Sequence, residues 1–434
     1  MSAALRSFEA QWRARPADAL QPVREQAMQR FLKLGLPTLR DETWRYTDLR
    51  SLAAQSYQAA AGEVRGTLDP GASLSLVDAQ APTPTLVMVN GAAPADADTV
   101  IINGFEISSI RTLSKRDYNS LLRFFPPVSD ADQRRWVLLN TALFNDGLYL
   151  KITGQVTVPL VILHVSTGES AQELAHPRII IDAAPGTSAT IIEHHVTHGE
   201  IAPLNNSNTH IALGKDAQLE HYRVYATGAG ATHLDALDIH QARGSLCRQF
   251  TIALGGGLVR SSLEAHLNQP GASLESYSLL VGHEDRHVDC VNIVTHAAPD
   301  TRSRQTARAI ASDVSRVIFN SKVIVKAGAV HADSQQSCRG LLLSPSAEID
   351  TRPQLEIHAD EVKCAHGATT GRLDPDMLFY LLSRGLDRET AQSLLVYAFL
   401  ADVLTGMSVT SARSAIEGAL ISQLPDSQIL RKFR

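Results

Sequence analysis

Between Gly147 and Ile357 turn residues recur at a nearly constant interval. Gly186, Gly214, Gly244, Gly271, the Pro299-Asp300 pair and Gly328 stand 28, 30, 27, 28 and 29 residues apart. Each is followed by a small or polar residue and then by a run rich in Ile, Val, Leu, Thr and Tyr. In Leu219-Glu220-His221-Tyr222-Arg223-Val224-Tyr225 the alternation supplies one row of side chains to each face of a strand. A fixed period of this size marks a repeat architecture, in which one unit cannot bury its apolar face alone and stacking creates a continuous core. Strands rather than helices fill the period, and no WD or kelch-like signature accompanies it. The expected fold class is therefore mainly β, with a β-helix or stacked β-solenoid as core. A β-sandwich of regular hairpins is the competing arrangement.

Helical sequence flanks this core. Phe8, Trp12, Ala19, Val23, Ala27, Phe31 and Leu34 have amphipathic spacing and end at Gly35-Leu36-Pro37. The polar segment Arg40 to Asp48 carries Trp44 and Tyr46 and is expected to dock elsewhere on the fold. Short candidate strands such as Thr85 to Val89 fill residues 69 to 112. Near the C-terminus Asp374-Pro375 is a helix start, Gly385 a stop, Asp387 a second cap and Gly406 a second stop. Leu394 to Leu400 is apolar on every side, so either the domain wraps it or a partner does. The expected domains are 1–146, helical and mixed; 147–373, the β core; and 374–434, helical.

The formal charge of −5, from 40 basic and 45 acidic residues among 434, argues against a nucleic-acid binder. The longest apolar run, Leu394 to Ala401, is far short of the ~20 residues of a membrane helix. The first residues contain no hydrophobic signal core. Cys247, Cys290, Cys338 and Cys364 lie far apart with no CxxC, which fits a reducing cytoplasm better than a disulfide framework.

Several constellations carry candidate chemistry. In Val362-Lys363-Cys364-Ala365-His366-Gly367 a thiol and an imidazole two residues apart share one face of an extended segment. That is half of a soft-metal site, or else a small buried cysteine beside a hydrogen-bonding histidine. Cys338 lies about one repeat earlier, so a ~28-residue turn stacks it near His366, and the neighbouring Arg339 is placed to lower a thiol pKa. His283-Glu284-Asp285-Arg286-His287 fits the HExxH expression of zinc hydrolases, but its flanks are β-type and the required helix is missing. In strand geometry His283, Asp285, His287 and Asp289 form a solvated outer row. Glu193, His194, His195 and His198 form a second cluster, read as exposed strand positions, with metal storage or relay as the alternative. No GxSxG elbow, Walker A loop or GxGxxG opening a helix is present. A β-helix enzyme acting on polysaccharide needs clustered carboxylates, and the close pair Asp235 and Asp238 falls on opposite strand faces.

Taken together, Glu42-Thr43-Trp44-Arg45-Tyr46-Thr47, Leu139 to Gly147, His287-Val288-Asp289, Val294-Thr295-His296 and Pro353 to Ile357 resemble the SufB/SufD family of iron-sulfur cluster assembly proteins. The most specific match is Val362 to Thr369, followed by Leu378 to Leu381 and Ser383-Arg384-Gly385. Gly367 places the resemblance on the SufD side, since SufB has a glutamate after the histidine. Ala365, where serine is common, and Ser321, where a turn glycine is usual, depart from the pattern. The resemblance implies a right-handed parallel β-helix between helical ends, and a non-catalytic scaffold of a complex with SufB-like and SufC-like subunits. It implies ligands for a transient iron-sulfur cluster or iron at the SufB interface, with His366 first, Cys364 second and Cys338 third. It also implies docking of the SufC ATPase on the C-terminal helices, for which Phe379, Tyr380, Arg384, Gly385, Leu394 and Tyr397 are the candidates. A flavin in the assembled complex and a homodimer of the isolated chain stay open, and no cofactor is expected on the chain alone.

Overall fold

A computed structural model describes residues 2–62, 83–94, 100–113, 115–125, 128–129 and 134–422. The candidate strands placed between 69 and 82 lie outside the described residues. The core is a β-solenoid of about 7 turns with helices at both ends. Each turn contributes one strand to a 13-stranded sheet and the next strand to a nine-stranded sheet, and the pairings along the coil are parallel. Among the described residues the antiparallel strand pairs are those by which Val100–Ile102, Phe105–Ser109 and Leu148–Ile152 open the larger sheet, so the hairpin sandwich is not the fold.

Register reproduces the repeat read from the turns. In the nine-stranded sheet Gln218 pairs Leu246, Leu246 pairs Ser273, Ser273 pairs Arg302, Arg302 pairs Asp333 and Asp333 pairs Lys363. A column of left-handed residues turns the chain into that sheet: Gly186, Asp216, Gly244, Gly271, Asp300, His331 and Glu361, with φ between 56 and 76°. Amide-to-carbonyl bonds tie the column together, from Gly186 to Lys215, Asp216 to Arg243, Gly244 to Pro270, Asp300 to Val330 and His331 to Glu361. At two of the turn markers the residue of this column, Asp216 or His331, lies two or three positions past the glycine, and Gly328 is itself left-handed at φ 84°. Gly214 is required for another reason, because a Cβ there would lie 2.8 Å from the Ala183 carbonyl oxygen.

Both faces of the sheets are covered. Outside the nine-stranded sheet, Val396, Leu400, Val403 and Leu404 of the helix Arg388–Leu404, with Ile416 and Leu420 of Thr410–Ser422, pack on Ile192, Tyr222, Val224, Phe250, Ile252 and Leu279. The helix starts are as read: Asp374 accepts from the amides of Asp376 and Met377, and Asp387 from that of Thr390. Outside the 13-stranded sheet, the segment from Glu42 to Thr47 straps onto the coil. The Arg260 guanidinium lies 3.7 Å over the Trp44 ring, donates to the Thr43 carbonyl at 2.7 Å and pairs with Asp289. Thr47 donates to Asp289 and lies 3.0 Å from His287 Nε2, and Glu42 pairs with Arg352 at 2.7 Å.

That strap overturns the solvated row. Asp289 is buried and His287 half-covered, while His283 and Asp285 sit in a turn where Glu284 is left-handed. The HExxH spacing therefore has no helix to put two imidazoles on one face, and the zinc-hydrolase reading fails on geometry. Ser321 is likewise no turn residue; it lies within the strand Arg316–Val325 and donates to Gln305 Oε1 at 3.0 Å.

Because Arg260 and Asp289 are both sealed from water, Asp289→Ala leaves an uncompensated guanidinium. The expected loss of unfolding free energy is about 3–5 kcal/mol. Thr47→Ala removes the hydroxyl that bridges Asp289 and His287 and is expected to cost about 1–2 kcal/mol. Equilibrium urea denaturation of both variants checks the order, and equal losses would show that the pair is not the anchor of the strap.

Candidate functional site

The solenoid ends openly. Glu348–Ile357 and Lys363–Gly371 are the outermost strands of their sheets and are paired on one side only. Residues 365–371 are all exposed, whereas the equivalent strand one turn earlier is half buried. Long edges of this kind carry free backbone donors and acceptors that invite another strand.

Cys364 and His366 share the lumenal face of this last strand, as their spacing predicts. Register pairs Cys364 with Ser334 and His366 with Gln336, both buried in the lumen. Cys364 is half-buried against the apolar lumen wall, and burial, with the Asp333 charge beside it, pushes its thiol up. His366 is exposed at the rim. Cys338 also faces the lumen, but the coil is 30 residues long here, so it stacks on Ala368 and meets His366 only diagonally. Arg339 points to the outer face and does not activate Cys338. Burial instead drives that thiol up to about 12, and the cation that opposes the rise is Arg308, which pairs with Asp402. The three residues thus share one end and one face without forming a closed ligand set.

The rim itself is charged. Glu356 accepts from Lys322 at 2.6 Å and lies 2.9 Å from His358, and these two neighbours lower its carboxyl to about 2. A signal missed in the sequence lies behind His366. Its column in the sheet runs back through Gln336, Gln305, Ser276 and Gln249 to His221. Ser276 donates to Gln249 at 3.2 Å, and Asn292 reaches Ser276 from the opposite sheet at 3.4 Å. A polar stripe thereby separates two apolar lumen clusters, one around Leu263, Leu274 and Val294, the other around Leu280, Val288 and Phe319. The period-two alternation contained these residues, and only register aligns them.

The candidate docking residues divide into two groups. Phe379 and Tyr380 are 71% and 55% exposed on the helix Pro375–Ser383, which buries no residue, and Arg384 and Gly385 follow them exposed. Leu394 and Tyr397 are half-buried, and Tyr397 packs toward the nine-stranded sheet. The second helix is therefore covered mainly by its own domain. Asp235 and Asp238 face opposite ways as expected: Asp235 into the lumen, Asp238 outward to Arg134 at 2.7 Å.

A β-solenoid with an open terminal turn that carries a thiol and an imidazole defines the structural class. Residues 164–399 match the family described as SUF system FeS cluster assembly, SufBD core domain, and residues 5–162 match the SufBD protein N-terminal region. The chain belongs to the SufBD family of iron-sulfur cluster assembly proteins. It is 29% identical to the Escherichia coli iron-sulfur cluster assembly protein SufD across 93% of both chains. It is 27% identical to a SufBD family protein of Synechocystis, over 88% of this chain and 86% of that one. It is 24% identical to the chloroplastic protein ABCI7 of Arabidopsis thaliana, over 92% and 85%. Among the described residues no helix is long and apolar enough to cross a membrane.

Burial ranks the thiols. Cys247, Cys290 and Cys338 are held near 12 by burial and Cys364 alone is half-exposed. Titration of the native chain with a disulfide reagent at mildly alkaline pH is expected to modify Cys364 alone, to modify nothing in Cys364→Ser, and to modify all four cysteines in denaturant. Rapid reaction of Cys338 in native Cys364→Ser would show that the coil end opens.

Proposed function

We propose that this chain is a non-catalytic scaffold subunit of a complex with a SufB-like chain and a SufC-like ATPase. The single observation that carries the reading is the open terminal turn, where two long unpaired strand edges frame Cys364 and His366. A second solenoid of the same family that continues the two sheets would satisfy those edges and bring its own ligands to the half-set on this side. The iron-sulfur cluster or iron is then cargo at the seam. His366, exposed at the rim, is the first ligand to reach it, Cys364 the second, and Cys338, one strand inside, the third.

The exposed Phe379, Tyr380, Arg384 and Gly385 form the face offered to the ATPase, with Leu394 and Tyr397 supporting it from the next helix. The match to the iron-sulfur cluster assembly protein SufD of Escherichia coli supports a role in cluster assembly. The four unpaired thiols suit a reducing compartment, and we place the chain in the cytoplasm. In the absence of a SufB-like partner the same edges are available to a second copy, and a flavin, if one is bound, belongs to the assembled complex.

Co-expression with SufB-like and SufC-like chains tests the reading. His366→Ala is expected to leave complex formation intact while lowering cluster yield at least about 10-fold, which corresponds to about 1.4 kcal/mol or more. Cys364→Ala is expected to lower the yield less. Phe379→Ala with Tyr380→Ala is expected to release the ATPase but keep the SufB-like chain. Undiminished assembly in both coil-end variants would remove the ligand assignment, and a wild-type chain that binds neither partner would remove the scaffold role.

A further inference from the structure

The lumen holds a second group of ionisable side chains, several turns away from the open end. His164, Glu193, His195, His233 and Asp235 are all buried. The cluster Glu193 to His195 was expected on an exposed strand; instead Glu193 and His195 face into the coil, and the outward-facing His194 is buried as well. His164 and His195 are direct partners on adjacent strands of the nine-stranded sheet, and His233 and Asp235 come from the 13-stranded sheet opposite.

Two trios have one ligand atom from each residue within 4.8 Å of the others: His164, Glu193 and His195, and His195, His233 and Asp235. The first trio is already satisfied at its carboxylate. Glu193 accepts from Thr209 at 2.9 and 3.0 Å and contacts His164 at 3.1 Å and His221 at 2.8 Å. The second is not. Neither ring nitrogen of His233 has a hydrogen-bond partner, and neither has Asp235 Oδ2, although the other Asp235 oxygen accepts from the Ser207 amide at 3.0 Å. His233 Nδ1 and Asp235 Oδ2 stand 3.7 Å apart, too far for a hydrogen bond. Buried polar atoms left this way are costly, and a cation between them removes the cost.

The ring of His195 is held from both sides. His164 stacks on it at 4.3 Å and Tyr225 at 4.8 Å, with interplanar angles of 7 and 15°, which fixes the ring plane and leaves its nitrogens at the edge. Arg223 is the nearby cation, donating to Tyr225 at 2.8 Å and Ser261 at 2.5 Å. Its guanidinium is the cation that faces the Glu193 and Asp235 carboxyl groups here.

We propose that His195, His233 and Asp235 form a lumenal binding site for a divalent first-row transition-metal ion, with His164 and Tyr225 orienting His195 from either side. Two imidazoles and one carboxylate are the donor set of open zinc and non-haem iron sites. A metal–nitrogen length of about 2.0–2.1 Å requires the three donors to draw in around the ion from the spacing they have here. The site is enclosed, so the ion enters as the coil closes during folding and exchanges slowly afterwards. It uses none of the coil-end residues and does not rest on the scaffold reading.

The full chain, expressed in cobalt-supplemented medium and purified without added metal, tests the site. Elemental analysis is expected to find about one cobalt per chain. X-ray absorption is expected to find nitrogen and oxygen donors with no sulfur. His195→Gln, His233→Gln and Asp235→Asn are each expected to lose the ion, with occupancy falling at least about 10-fold. The double variant His366→Ala with Cys364→Ala is expected to keep it. Wild type without stoichiometric metal, sulfur in its coordination shell, folded lumen variants that retain cobalt, or loss of cobalt from the coil-end double variant would each overturn the proposal. The two wild-type measurements decide the matter even where a lumen variant fails to fold.

Discussion

The parallel backbone ladder, locked at one coil per step, is the constraint on which every other feature of this protein depends. Along the coil each strand finds its partner 26 to 32 positions further along the chain. That offset decides which side chains stack into columns, where the two apolar lumen clusters fall and which residues finish exposed on the last strand. A slip of one residue would invert inside and outside along a whole strand. The left-handed residues guard against it, because each fixes where the chain leaves one sheet and joins the other. The identity of the turn residue varies among glycine, aspartate, histidine and glutamate, while its backbone conformation does not.

Inside the coil, columns turn single polar residues into an ordered band. A lone glutamine or serine in an apolar lumen would be costly, but Gln249, Ser276, Asn292, Gln305 and Ser321 offer donors and acceptors to one another across and along the strands. The band ends at His366, and its other end meets Glu193 through His221. Polar character is thus continuous along the lumen, with hydrophobic packing on both sides of it.

Much of this was legible before any coordinates. The interval between turns gave the solenoid, the caps at Asp374 and Asp387 gave two C-terminal helices, and the spacing of Cys364 and His366 gave their common face. What escaped was burial. Alternation in a strand separates two faces but does not say whether either is wet, and in this coil one row faces the lumen while the other lies under helices or the strap. Glu193 and His195 were therefore read as solvated when they are enclosed, and Asp289 was given to solvent when Trp44, Thr47 and Arg260 seal it. The distance from Cys338 to His366 failed for a related reason: the coil lengthens toward its end, and two extra residues shift the partner to Ala368.

The strap that clasps the 13-stranded sheet joins residues distant in the chain, with Thr47 meeting Asp289 across 242 positions and Glu42 meeting Arg352 across 310. The coil itself is built from contacts between successive turns, so it can grow as the chain leaves the ribosome. The strap cannot join until its docking turns exist. At roughly 5–20 residues per second, its aromatic and charged side chains wait about 10–60 s after synthesis for their partners. During that interval the outer face of the growing sheet is uncovered, and the helical N-terminus is tethered to a surface not yet made.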